Sequence, residues 1–124
     1  LNERFTEEEI IWITKILDTS GNEWIVWLEL GKHDYGTESG NGLEHIYHRH
    51  TVNQFEKWGW KTPEIQAKKI LDILNQKKPI DIQHDPDLGY SYIYDLGLIN
   101  GLQQYLLIGI GDNGYIKSAR PYTF

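Results

Sequence analysis

The sequence predicts an α+β fold, with N-terminal helices packed on a C-terminal antiparallel β-meander. Three observations predict it. Apolar residues recur at helical spacing around residues 10–17 and 65–74. From Tyr90 onward the texture turns to alternation, as in strands with one covered face. Two short turn signals, Asn100-Gly101 and Asp112-Asn113-Gly114, divide that stretch into three. The 124 residues fit one domain, and no repeat or low-complexity tract divides them. Hydrophobic residues make up 40% and aromatic residues 13%, which is enough for a core and too much for a disordered chain.

Each element has its own signal. Thr6 followed by Glu7, Glu8 and Glu9 reads as a capping box. Ile10, Ile13, Ile16 and Leu17 then give a first helix over residues 7–18, which Ser20-Gly21-Asn22 ends. Residues 23–30 (EWIVWLEL) are rich in β-branched and aromatic types and read as a strand. Residues 31–41 read as a loop. Asn41 caps a second helix, with Glu44 three residues on, that runs to about residue 58 before Gly59 interrupts it. Thr62-Pro63 opens a third helix with a capping hydroxyl and a proline at the first helical position, and Pro79 closes it. Residues 90–99, 102–110 and 115–120 are the strands of the meander. Trp12, Trp24 and Trp27 are expected in the core, and Trp58 and Trp60 are expected to pack the junction around Gly59.

The chemistry crowds into residues 45–50. Three imidazoles and a guanidinium, His45, His48, His50 and Arg49, stand within six positions. On an ideal helix His45, His48 and Arg49 share one face, while Leu43, Ile46, Tyr47 and His50 share the other, apolar face. His50 is therefore expected to be partly buried. A zinc site from His45 and His48 lacks HExxH spacing, cysteine and a carboxylate cluster, and Arg49 would repel the cation. No metal or other cofactor is expected. A serine hydrolase is discouraged by the absence of GxSxG, and a phosphate-cradling loop by glycines that open no helix. His33 and His84 are expected at the surface. What remains is metal-free acid–base chemistry beside a cation. RNA supports such chemistry, because its own 2′-hydroxyl is the nucleophile and imidazoles can move both protons.

The segment Gly42-Leu43-Glu44-His45-Ile46-Tyr47-His48-Arg49-His50, then Phe55, Gly59 and the 65–74 helix, resembles the N-terminal half of barnase–EndoU–colicin–RelE-type ribonuclease domains. The closing Gly114-Tyr115-Ile116-Lys117-Ser118-Ala119-Arg120-Pro121-Tyr122 resembles their last strand. The resemblance covers roughly residues 42–122. It implies helices before an antiparallel sheet, and a ribonuclease toxin that cleaves RNA, tRNA among the candidates, to a 2′,3′-cyclic phosphate. It implies general acid–base roles for His45 and His50, a hydroxyl near the scissile phosphate from Ser118, and an aromatic hydroxyl from Tyr122. Arg49 would bind phosphate or fix geometry, with His48, Lys117 and Arg120 as further contacts. Alternation puts Ile116, Ser118 and Arg120 on one face and Lys117 on the other. Such domains form the C-terminal tips of large secreted bacterial proteins, including contact-dependent growth inhibition systems of interbacterial competition. They act in the target-cell cytoplasm and are paired with a cognate immunity protein. A start at Leu1 and a chain without Met fit a piece of a longer polypeptide.

Formal charge is −6, which discourages a nucleic-acid partner when taken alone. Resolved along the chain, residues 1–44 carry −7 and residues 45–124 carry +1. The expected RNA site therefore draws on a few local cations, Arg49, Lys117 and Arg120. No apolar run is long enough to span a membrane. Two rival readings stand beside the ribonuclease: an acidic immunity or adaptor module, and a metal-dependent nuclease using His45 and His48.

Overall fold

A computed structural model describes residues 9–34, 39–51 and 54–124. Among the described residues the architecture is α+β, with two α-helices and antiparallel sheets. In chain order the elements are β1 (Ile10–Leu17), β2 (Glu23–Glu29), β3 (Lys32–Asp34), β4 (Ser39–Asn41), α1 (Gly42–His50), α2 (Pro63–Gln76), β5 (Asp81–Asp85), β6 (Gly89–Ile99), β7 (Leu102–Ile110) and β8 (Ile116–Tyr122). Among the described residues a 3-10 turn, Phe55–Trp58, lies between the helices. β1 pairs with β2, β3 with β4, and β5 to β8 form one meander in sequence order.

The expected meander is present with one strand more than the sequence suggested. β5 was missed because DIQHD carries one apolar residue, Ile82, on an otherwise exposed edge strand. Asn100 (φ 54°) and Gly101 (φ 82°) make the turn between β6 and β7 with both residues left-handed, which favours this pair. α2 also forms as read. The Thr62 hydroxyl accepts a hydrogen bond from the Ile65 amide at 3.2 Å, and Pro63 stands in the first turn.

The first expected helix is instead strand β1. The helical spacing of Ile10, Ile13, Ile16 and Leu17 is real, but Ile10, Trp12, Thr14 and Ile16 also alternate. Hydrogen bonding to β2 decides between the two periods, and these four residues face inward while Ile11, Ile13, Lys15 and Leu17 face out. α2 covers the inner side. The Trp12 indole donates to the Ala67 carbonyl at 3.1 Å, and the Thr14 hydroxyl bonds Asn75 Oδ1 at 2.7 Å. The proposed cap at Thr6 to Glu8 lies outside the described residues. The 31–41 loop contains the short hairpin β3–β4, and the second helix stops at His50 rather than running on to residue 58. Gln66 holds the point where it stops: its amide donates to the Thr51 hydroxyl at 2.6 Å and to the Trp60 carbonyl at 2.9 Å.

The core lies between the inner sheet face and the helices. Tyr94, Leu106, Ile108, Ile116 and Ala119 from the meander meet Ile46, Phe55 and Ile70, all fully buried. Trp27 is buried and Trp12 and Trp24 partly so. The β1–β2 hairpin joins the meander through the Trp27 amide, which donates to the Gly114 carbonyl at 3.0 Å. α1 packs chiefly on β8, and this contact builds the candidate site.

Candidate active site

β8 supplies one half of the site. Its register against β7 shifts: Ser118 stands opposite Gly109, yet Ile116 stands opposite Ile110. Lys117 is therefore an inserted residue, a β-bulge, and the alternation changes phase across it. Ser118 and Arg120 keep one face, together with Tyr122. Ile116 leaves that face for the core, where it is fully buried. This corrects the expected sharing of a face by Ile116, Ser118 and Arg120. Lys117, expected opposite Ser118, lines the same cleft as Ser118.

That cleft has a volume of about 510 Å³ and lies on the outer sheet face. Gln83, Ser91, Gly109 and Ser118 are register partners across all four strands and run through its floor. Ser91 and Gly109 are small, so the floor is open beside the Ser118 hydroxyl. Asn41 and His84 stand at its walls. The Lys117 ammonium donates to the Leu88 carbonyl at 3.1 Å and so sits at the rim.

α1 supplies the other half. His50, at its last position, is 7% exposed. Its Nε2 lies 3.2 Å from Ser118 Oγ, and its Nδ1 lies 2.7 Å from Gln54 Oε1. An amide oxygen only accepts, so Nδ1 carries the proton. Nε2 then presents its lone pair to Ser118, whose hydroxyl donates to it. Burial pushes the His50 pKa down to about 4, and the nearby charges of His45, Arg49 and Arg120 add to that effect. The Gln54 hydrogen bond opposes it. At neutral pH His50 is an uncharged base, oriented on one side and aimed at a hydroxyl on the other.

The His45 ring meets the His50 ring edge to face, with centroids 5.3 Å apart. The helical wheel placed His45 with His48 and Arg49. The structure buries it instead, at 8% exposure, because α1 is covered by β8 on one side and by β2, β3 and β4 on others. His48 is turned outward. It pairs with Glu44 at 3.2 Å and lies against the Tyr47 ring. His45 and His48 thus do not converge, and among the described residues no group of three His, Cys, Asp or Glu side chains could hold a metal ion. Arg49 is exposed beside His50.

Tyr122 is not brought to this cluster. It lies four residues beyond Ser118 on the same strand, about 13 Å along it. Its ring contacts Phe124, and its register partner is Tyr105. His84 is exposed as expected and bonds Asp112 at 3.1 Å. His33 lies on β3. Gln54 is the residue that sequence reasoning missed, although its spacing of four from His50 is the signal that pairs side chains on a helix. The chain matches no known family model and no curated protein.

Proposed function

We propose that this chain is a metal-independent endoribonuclease domain of the barnase–EndoU–colicin–RelE type. The observation that carries the reading is the paired imidazoles of His45 and His50, one of them held neutral against a hydroxyl at the edge of an open cleft. The assignment of roles follows from that neutrality. His50 Nε2 takes the proton from the 2′-hydroxyl as its oxygen bonds to phosphorus. The bond from phosphorus to the 5′-oxygen breaks, and His45 in its protonated form gives that oxygen a proton. A 2′,3′-cyclic phosphate and a 5′-hydroxyl result. Ser118, displaced from His50 by the incoming 2′-hydroxyl, turns its hydroxyl to a phosphate oxygen. Arg49 and Arg120 supply positive charge where the phosphorane gains negative charge. Lys117 meets the strand at the cleft rim.

Delivery as the tip of a larger bacterial toxin, action in the target-cell cytoplasm, tRNA as a target and pairing with an immunity protein rest on the sequence resemblance alone. The acidic-module reading keeps support from the −7 balance of residues 1–44. One assay separates the two. Purified protein is incubated with total tRNA in EDTA, and the 3′ ends are analysed. Cleavage with cyclic-phosphate ends is expected, and it should be abolished by His45→Ala, by His50→Ala and by Ser118→Ala with unchanged far-UV circular dichroism. Intact RNA at high protein concentration would overturn the ribonuclease reading and favour the binding module.

A further inference from the structure

The lysines are not spread evenly. Residues 57–78 hold six of the twelve Lys and Arg residues, against two carboxylates, in a chain of net charge −6. All six are exposed. Two of them, Lys69 and Lys77, flank a second cleft of about 410 Å³ that adjoins the buried stripe of α2 and shares Ile73 with it. Lys69, Asp72, Ile73 and Gln76 follow the i, i+3, i+4, i+7 spacing of one helix face, which forms one wall, with Lys77 just past the helix end. Trp58 and Trp60 form another, and Leu96 and Ile99 of β6 a third. The Asn100 side chain ties the hairpin tip to the 3-10 turn by donating to the Lys57 carbonyl at 3.0 Å.

The charges of this cleft are unbalanced. Its one carboxylate, Asp72, is already paired with Lys68 at 2.7 Å. Lys69 and Lys77 make no ion pair among the described residues. The two tryptophans differ in the same way. Trp60 is 6% exposed and stacked on Phe55, so it packs the junction. Trp58 is only half-buried, edge to face with Trp60, and lines the cleft. Flat aromatic surface between free cations is the combination that holds single strands, since every base has a face to stack and every nucleotide a phosphate.

We propose that the cleft between Trp58, Lys69 and Lys77 is a binding site for single-stranded nucleic acid, separate from the His50–Ser118 cluster. It deepens the ribonuclease reading by giving the substrate a second anchor, and it replaces the expectation that Arg49, Lys117 and Arg120 alone supply the charge. Binding is read with a labelled 2′-O-methyl oligonucleotide, which lacks the nucleophile and cannot be cleaved by 2′-hydroxyl attack. Affinity that falls with salt is expected. Lys69→Gln/Lys77→Gln should weaken it about tenfold and lower the salt slope by roughly 1.4, the share of two phosphate contacts on a single strand. Trp58→Ala should weaken it at least fivefold, the lower end for a lost base stack. The double lysine variant changes only exposed side chains, so it remains informative if Trp58→Ala misfolds. Oligonucleotide binding that none of these substitutions alters, or no binding at all, would overturn the proposal. Intact tRNA beside cleft-dependent binding would instead overturn the ribonuclease reading and leave this site standing.

Discussion

Burying an imidazole without a countercharge makes it neutral and also makes the fold sensitive to acid. The unfolded chain takes up a proton on His50 near pH 6.5, while the folded chain resists it down to about pH 4. Between these values the unfolded state binds more protons, so stability is present above pH 6.5 and is lost as pH falls towards 4. The loss is on the order of 2–3 kcal/mol after allowance for residual solvent access. His50→Gln should shrink the difference between urea midpoints measured at pH 7 and pH 4.5. Gln54 acts through the same ring. On the proposed ribonuclease reading, Gln54→Leu removes the acceptor that fixes the Nδ1–H tautomer and should lower kcat by about tenfold, less than the loss of a general base itself. It should also move the acid limb of kcat/KM to lower pH, because the lost hydrogen bond favoured the charged ring. Gln54→Glu should move that limb upward. A purely structural role for Gln54 would leave the limb where it is.

At the scale of elements, the meander and α2 were legible because turn chemistry and capping are local. Asn100-Gly101 and Thr62-Pro63 each state their geometry in two residues. β1 was not legible, because its apolar residues satisfy both periods and only pairing with β2 chooses. The bulge at Lys117 was invisible for a related reason: register belongs to two strands, and one strand cannot announce it. The bulge matters to the site, since it lets Lys117 and Ser118 share a cleft while Ile116 enters the core. Deleting Lys117 should leave Ser118 opposite Gly109 and Ile116 opposite Ile110, with ordinary alternation restored. The variant is expected to fold, with sheet-type circular dichroism preserved. On the proposed ribonuclease reading, RNA cleavage should nevertheless fall, because the rim ammonium and the local twist that aims Ser118 are both gone. Cleavage at the full rate would mean that the bulge has no part in the chemistry. The wheel for α1 failed at His45 because it assumes a single buried face, whereas this helix is covered on several sides.

For the whole molecule, the decisive joint is the one between the β1–β2 hairpin and the meander. It turns on Gly114, whose φ of 102° suits glycine and whose added Cβ would lie 2.3 Å from the Ile25 carbonyl oxygen. Gly114→Ala should therefore loosen the Trp27–Gly114 hydrogen bond and the Trp27–Tyr115 ring contact together. A cost of about 1–3 kcal/mol is expected for strain of this kind. It should appear as a fall in Tm of roughly 5–15 °C. An unchanged Tm would show that the two sheets hold together without this joint.

The candidate site draws its two halves from places 68 residues apart, His50 on α1 and Ser118 on β8. Until β8 pairs with β7, the imidazole has no hydroxyl to face and the cleft has no second wall. During synthesis, α1 and α2 leave the ribosome well before β8 does. A nascent chain thus carries the His50 imidazole without the Ser118 hydroxyl until β8 has emerged and paired with β7.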